Sequence, residues 1–202
     1  MISARHHLLA IWFFDLYFRL KMKMHFRGIS IEGDEPEPGK PVLLLQNHFS
    51  WWDGYWSFYL SRRFFKKKFH VMMLEKQLRK RMFINRCGAF SVQPESRDLV
   101  QSVTYAARQL NNPQNLVCLY PQGEIQSQHV HPVRFKKGAS RILQQAKTAV
   151  QVYFCVVLVD YFSRPKPMVR LYLQRYAGET SATGMETAYR IFQEQCINKQ
   201  HE

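Results

Sequence analysis

The stretch Gln46-Asn47-His48-Phe49-Ser50-Trp51-Trp52-Asp53-Gly54 follows the apolar run Val42-Leu43-Leu44-Leu45. The apolar run reads as a buried strand, and residues 56–60 read as the body of a helix. His48 and Asp53 therefore fall where a strand gives way to a helix, a junction at which α/β proteins place chemistry. An imidazole takes a proton from an alcohol near neutral pH. A carboxylate holds that imidazole in one tautomer and stabilises the imidazolium. The two residues are five positions apart. On one regular helix that separation is about 500° of rotation, so a direct contact needs a bend between them. Ser50 in an N-cap position, with Asp53 three residues on, supplies a capping-box signature at the bend. The same spacing also fits a plainer reading, in which Asp53 only caps a helix and His48 is a polar residue at a strand end.

Outward from this stretch, strands and helices alternate. Residues 71–74, 89–92, 116–120, 150–161 and 168–176 read as strands, and residues 75–85, 94–110, 137–147 and 183–198 as helices. Thr183-Gly184-Met185-Glu186 reads as the capping box of the last helix. Residues 28–40 read as a polar connector. The alternation predicts an α/β fold, with a mainly parallel central sheet covered by helices. We expect two parts: an N-terminal membrane-interfacial helix over residues 1–27, and a single domain over residues 28–202.

The N-terminal segment LLAIWFFDLYFRL, residues 8–20, is nearly all apolar, with Asp15, Arg19 and Lys23 recurring every four residues. Thirteen helical residues reach about 20 Å, short of the roughly 30 Å hydrocarbon core. Asp15 and the lack of a small-residue cleavage site argue against a signal peptide. We expect a helix lying in the cytoplasmic leaflet; the alternative is a helix packed on the domain. The chain carries 29 Lys+Arg against 15 Asp+Glu, a formal charge of +14, which implies an acidic partner. Basic residues interleaved with aromatics, as in the RRFFKKKFH of residues 62–70, favour an anionic membrane surface. No nucleic-acid-binding signature accompanies the charge, and no nucleic acid is expected as a partner. Cys87, Cys118, Cys155 and Cys196 are widely spaced and form no CxxC pair, so they read as reduced thiols of a cytoplasmic protein. His129 and His131 form an HxH pair with no third ligand apparent nearby, and they read as loop histidines; no metal and no cofactor are expected.

The NHxxxxDG of the opening stretch resembles the first block of the glycerolipid acyltransferase family, which includes the lysophosphatidic acid acyltransferases. Arg86-Cys87-Gly88-Ala89-Phe90-Ser91-Val92 with Arg97 resembles the second block, and Leu119-Tyr120-Pro121-Gln122-Gly123-Glu124 the third. Phe135-Lys136-Lys137-Gly138-Ala139 is similar to the family's Phe-Lys-x-Gly segment. The resemblance implies acyl transfer from acyl-CoA or acyl carrier protein to a lipid hydroxyl at the cytoplasmic face of a membrane. It implies His48 as general base and Asp53 as its orienting partner, without an acyl-enzyme. Arg97, Gln122, Gly123, Glu124 and Lys136 then fall where the acceptor or its phosphate binds. Asn47 is open to two readings, a donor to the developing oxyanion or a strand-end cap. The third block usually carries Glu, Thr and Arg where this chain has Gln122, Glu124 and Ile125. The acceptor that follows is lysophosphatidic acid, or else a lyso-amino-acid lipid or a lipid glycoside. A nucleic-acid-binding protein and a catalytically silent membrane scaffold are the non-enzyme alternatives.

Overall fold

The structure, a computed structural model, describes residues 1–94, 98–130 and 132–201. Arg97 and His131 lie outside the described residues. In chain order the elements are α1 (Leu8–His25), β1 (Gly28–Gly33), β2 (Val42–Gln46), α2 (Asp53–Arg63), β3 (Lys68–Leu74), α3 (Glu75–Lys80), α4 (Met82–Asn85), β4 (Ala89–Val92), α5 (Asp98–Gln109), β5 (Asn115–Leu119), α6 (Gly138–Gln145), β6 (Gln151–Asp160), β7 (Met168–Tyr176) and α7 (Ala182–Asn198).

The seven strands form one sheet in the order β1-β7-β6-β2-β5-β3-β4. Every pairing is parallel except β6 with β7, which is antiparallel. The sheet is buried on both faces, which explains why its central strands are apolar runs rather than alternating ones. Successive side chains of a strand point to opposite faces. Val42 and Leu44 accordingly join a core with α1 and α2, through Phe14, Phe18, Tyr55 and Trp56. Leu43 and Leu45 join a second core with α5, α6 and α7, through Val103, Ile142 and Tyr189. The mainly parallel sheet covered by helices is the fold class read from the sequence.

Three local expectations change. Residues 28–33 are not connector but β1, an edge strand that pairs with β7 from Gly28↔Met168 to Gly33↔Leu173. Residues 75–85 break at Arg81 into two short helices. The last helix is capped two residues earlier: Ser181, not Thr183, is the N-cap, and its Oγ accepts the Gly184 N–H at 3.0 Å.

Helix α1 continues to His25, five residues past the apolar run, and packs along α2. Its buried side is Phe14, Asp15, Phe18 and Met22. Phe18 stacks on Tyr55 with centroids 4.8 Å apart, and Phe14 meets Phe58 edge-on at 5.1 Å. The polar stripe turns inward at Asp15, which is buried between Arg19 at 3.3 Å and Arg63 of α2 at 3.4 Å. The opposite side leaves Leu8, Leu9, Trp12, Phe13, Leu20 and Met24 exposed, Leu8 at 84% and Phe13 at 65%. The helix is thus both packed on the domain and apolar outward. Among the described residues no helix is long and apolar enough to cross a membrane.

The four cysteines are free and buried. Burial pushes the Cys87 thiol up to about 11 and those of Cys118 and Cys196 to about 12. Cys155 is raised as well, for the same reason.

Candidate active site

Strands β2 and β5 are parallel neighbours, so the loops leaving their carboxyl ends emerge side by side. The first carries His48 and the second Gln122. The two loops are tied together: the His48 N–H donates to Gln122 Oε1 at 2.6 Å, and the Gln126 N–H donates to the His48 carbonyl at 2.9 Å.

After β2 the chain bends before α2 begins at Asp53. The bend brings His48 Nδ1 to 2.6 Å from Asp53 Oδ2. The same oxygen accepts the N–H groups of Phe49 and Ser50, each at 2.8 Å. Ser50 Oγ accepts the Trp52 N–H at 3.1 Å. The two readings of the sequence therefore coincide in one carboxylate, which caps the turn and holds the imidazole. With acceptor-only carboxylate oxygen at Nδ1, the ring proton sits there and Nε2 keeps its lone pair. Nε2 has no hydrogen-bond partner among the described residues, and the side chain is 23% exposed while Asp53 is fully buried. Burial pushes the Asp53 carboxyl above the usual range; hydrogen bonds from His48 and from the Ser50 and Phe49 amides offset part of that rise.

Tyr120 covers one face of the imidazole, its ring centroid 4.2 Å away and the planes 18° apart. Its hydroxyl is 3.1 Å from Ser57 Oγ, which donates to the Asp53 carbonyl at 3.0 Å. Burial raises the phenol well above its ordinary range, so Tyr120 stays neutral. Tyr120, Ser57 and Gln126 went unassigned from the sequence. The signals were an aromatic before the third block's proline, a serine one helical turn past Asp53, and nothing for Gln126.

Asn47 points away from this centre. Its Nδ2 donates to the Val157 carbonyl at 2.9 Å and its Oδ1 accepts the Val157 N–H at 2.8 Å, a two-point clasp on β6. This is the strand-end role, and it occupies both ends of the amide. Gln122 is also spoken for: besides the His48 amide, its Nε2 donates to Gln126 Oε1 at 2.9 Å. Glu124 is exposed and accepts from Gln126 Nε2 at 2.9 Å. Gly123 has φ +74°, and a Cβ there would lie 2.7 Å from Lys136 Nζ, so the glycine permits the left-handed turn and the lysine stem across it. Lys136 is anchored by its own N–H to the Pro121 carbonyl at 2.9 Å. The structure thus gathers His48, Asp53, Gln122, Gly123, Glu124 and Lys136 around two adjacent loops; Arg97 lies outside the described residues. His129 is an exposed loop residue. Among the described residues no group of three or more His, Cys, Asp or Glu is arranged to hold a metal ion.

The loop is also braced from the side of α1. Trp51 meets Phe18 at 5.3 Å and Trp52 meets Phe26 at 5.0 Å, so α1 and the segment after it back the residues between His48 and Asp53.

No curated protein sequence matches the chain. A family model described as acyltransferase matches residues 28–158, which includes β2, the His48–Asp53 bend and the Gln122 loop. A match over more than half of the chain, centred on the residues just described, shows that the protein belongs to the acyltransferase family.

Proposed function

We propose that the enzyme moves a fatty acyl group from acyl-CoA or acyl carrier protein to a lipid hydroxyl, with His48 as general base. The observation that carries this is the 2.6 Å contact of His48 Nδ1 with buried Asp53, which leaves Nε2 without a hydrogen-bond partner among the described residues on a side chain that is 23% exposed. The acceptor hydroxyl gives its proton to Nε2 as its oxygen attacks the thioester carbonyl. Asp53 balances the imidazolium that forms. The C–S bond then breaks, the thiolate leaves, and the imidazolium proton passes to sulfur. Oxygen attacks carbon directly, so no covalent acyl-enzyme forms.

The acceptor we favour is 1-acylglycerol-3-phosphate. Glu124 and Lys136, both exposed beside the Gly123 turn, and Arg97 are the side chains we assign to it. Gln122 instead keeps the His48 loop in place, through its bond to the His48 amide. The exchange of the usual Glu, Thr and Arg of the third block for Gln122, Glu124 and Ile125 supports the alternative acceptors, a lyso-amino-acid lipid or a lipid glycoside. The exposed apolar side of α1, with Lys21 and Lys23 in its last turns and Arg27 just beyond it, supports work at an anionic membrane surface, on its cytoplasmic face.

The test is acyl transfer by purified wild type and His48→Ala, with labelled acyl-CoA and acyl carrier protein and a panel of the three acceptors. We expect a loss of about 10²–10⁴-fold in the variant, the usual contribution of a positioned base. Activity near wild type in His48→Ala removes the assigned base. Product on the glycoside or amino-acid lipid alone moves the acceptor and leaves the chemistry standing.

A further inference from the structure

A second feature lies on the same edge of the sheet. Because β7 runs antiparallel to β6 and parallel to β1, the starts of β1 and β7 sit beside the carboxyl end of β6. That end is one strand over from β2 and His48. The loops of the catalytic crevice reach it: Gln128 pairs with the Val159 main chain, Nε2 to the carbonyl at 3.2 Å and Oε1 to the N–H at 3.3 Å.

A cavity of about 420 Å³ opens there, between the β6–β7 turn and the start of β1. Its lining brings Arg27, Arg164, Lys166 and Arg170 together against one carboxylate, Asp160. Two of the cations are fixed by the fold. Lys166 Nζ donates to the Lys23 carbonyl in the last turn of α1 at 3.1 Å, and the Arg170 guanidinium lies 5.3 Å over the Phe162 ring. The other two guanidiniums, those of Arg27 and Arg164, have no hydrogen bond or ion pair among the described residues. Phe162 itself adopts φ +48°, a conformation that bulky residues rarely take. A strained aromatic that positions a guanidinium is the kind of local cost that concentrates where ligands bind. Nothing in the chemistry of His48 and Asp53 uses any of these groups.

We propose that this cavity is a binding site for a phosphate-bearing group, with Arg27 and Arg164 as its open ligands. Open guanidiniums give phosphate oxygens charge-assisted hydrogen bonds, and a lysine ammonium supplies the same charge. Two sources supply such a group at this edge: the nucleotide phosphates of an acyl-CoA, or the phosphate of an anionic lipid headgroup presented where α1 ends. Only the choice between these sources rests on the acyltransferase reading given above; the anion site itself does not.

The test measures binding, not turnover, on the full chain. Adenosine 3′,5′-bisphosphate is titrated by calorimetry into wild type, the double variant Arg27→Gln/Arg164→Gln, the charge-preserving double Arg27→Lys/Arg164→Lys, and His48→Ala. Flotation with phosphatidylcholine vesicles, with and without phosphatidic acid, is run on the same four proteins. We expect the glutamine pair to weaken one of the two ligands by about tenfold or more, the lysine pair to retain most of it, and His48→Ala to bind as wild type. A loss confined to the nucleotide assigns the site to the acyl donor. A loss confined to the phosphatidic acid increment assigns it to the lipid. Wild-type binding of both by the glutamine pair overturns the proposal, as does equal weakening by the glutamine and lysine pairs, which points to a structural role. If His48→Ala abolishes transfer yet keeps this binding, the two sites are separate.

Discussion

At the residue scale, the contact between His48 and Asp53 was legible because the chemistry of the two residues and their place at a strand end coincide. The bend that joins them was legible only as a requirement. Asn47 shows where side-chain reasoning ran out. Its two readings differ by which backbone it meets, and Val157 is 110 residues away in sequence. Since the Asn47 amide satisfies a buried N–H and a buried carbonyl of β6, Asn47→Ala should cost about 2–4 kcal/mol in denaturant unfolding. An oxyanion donor would instead lose turnover and keep its stability. Gln122 teaches the same lesson. Its Oε1 takes the His48 amide, a bond that a glutamate carboxylate would also accept, so glutamine at position 122 leaves the loop anchored and removes the charge at that position. Tyr120 was visible as an aromatic before a proline, but its stacking on the imidazole depends on β2 and β5 being neighbours, which local periodicity does not report.

At the scale of elements, long apolar strands and amphipathic helices declared themselves, whereas β1 did not. GISIEG is short, flanked by glycines and only half-buried, so its strand character comes from pairing with β7 rather than from its own pattern. Helix α1 was visible as apolar, but the direction of its charged stripe was not, because the partner that draws Asp15 inward is Arg63, on α2. The two sides of α1 make separable predictions. Phe18→Ala opens a hole under Tyr55 and the site loop, and should cost about 3 kcal/mol in urea unfolding. Replacing Leu9, Trp12 and Phe13 together by serine touches only exposed surface. It should leave the unfolding midpoint within error of wild type and cut partition to anionic vesicles by more than tenfold. Equal partitioning would show that the outward side of α1 serves some other surface.

For the whole molecule, the parallel sheet places the His48 loop, the Gln122 loop and the basic cavity on one edge, while α1 runs past the first and ends at the last. The alternation of strands and helices made the fold class legible. The strand order was not, since it depends on which crossovers skip a neighbour, as β2 to β3 does across β5. Half-buried His6 and buried His70, rings 4.8 Å apart, link the segment before α1 to β3. Burial, with His6 and then Lys68 adding to it and Asn115 opposing, pushes His70 from 6.5 down to about 3. The unfolded chain therefore takes the proton first. Stability from the neutral His70 is complete above about pH 6.5 and drains as pH falls toward about 3, by at most about 1.4 kcal/mol per pH unit. Asp53, raised by burial, carries the opposite sign. Comparing wild type with His70→Phe isolates the histidine: urea midpoints at pH 7 and pH 5 should differ less in the variant, and an unchanged difference would clear His70 of the acid sensitivity. The four buried cysteines have a consequence for measurement. Transfer from the thioester donor proposed above frees one thiol per turnover, whereas the protein's own sulfurs are shielded from reagent and held protonated near neutrality. A chromogenic disulfide added to the running reaction therefore reports the released product alone, and the enzyme can be followed in real time without masking its own side chains.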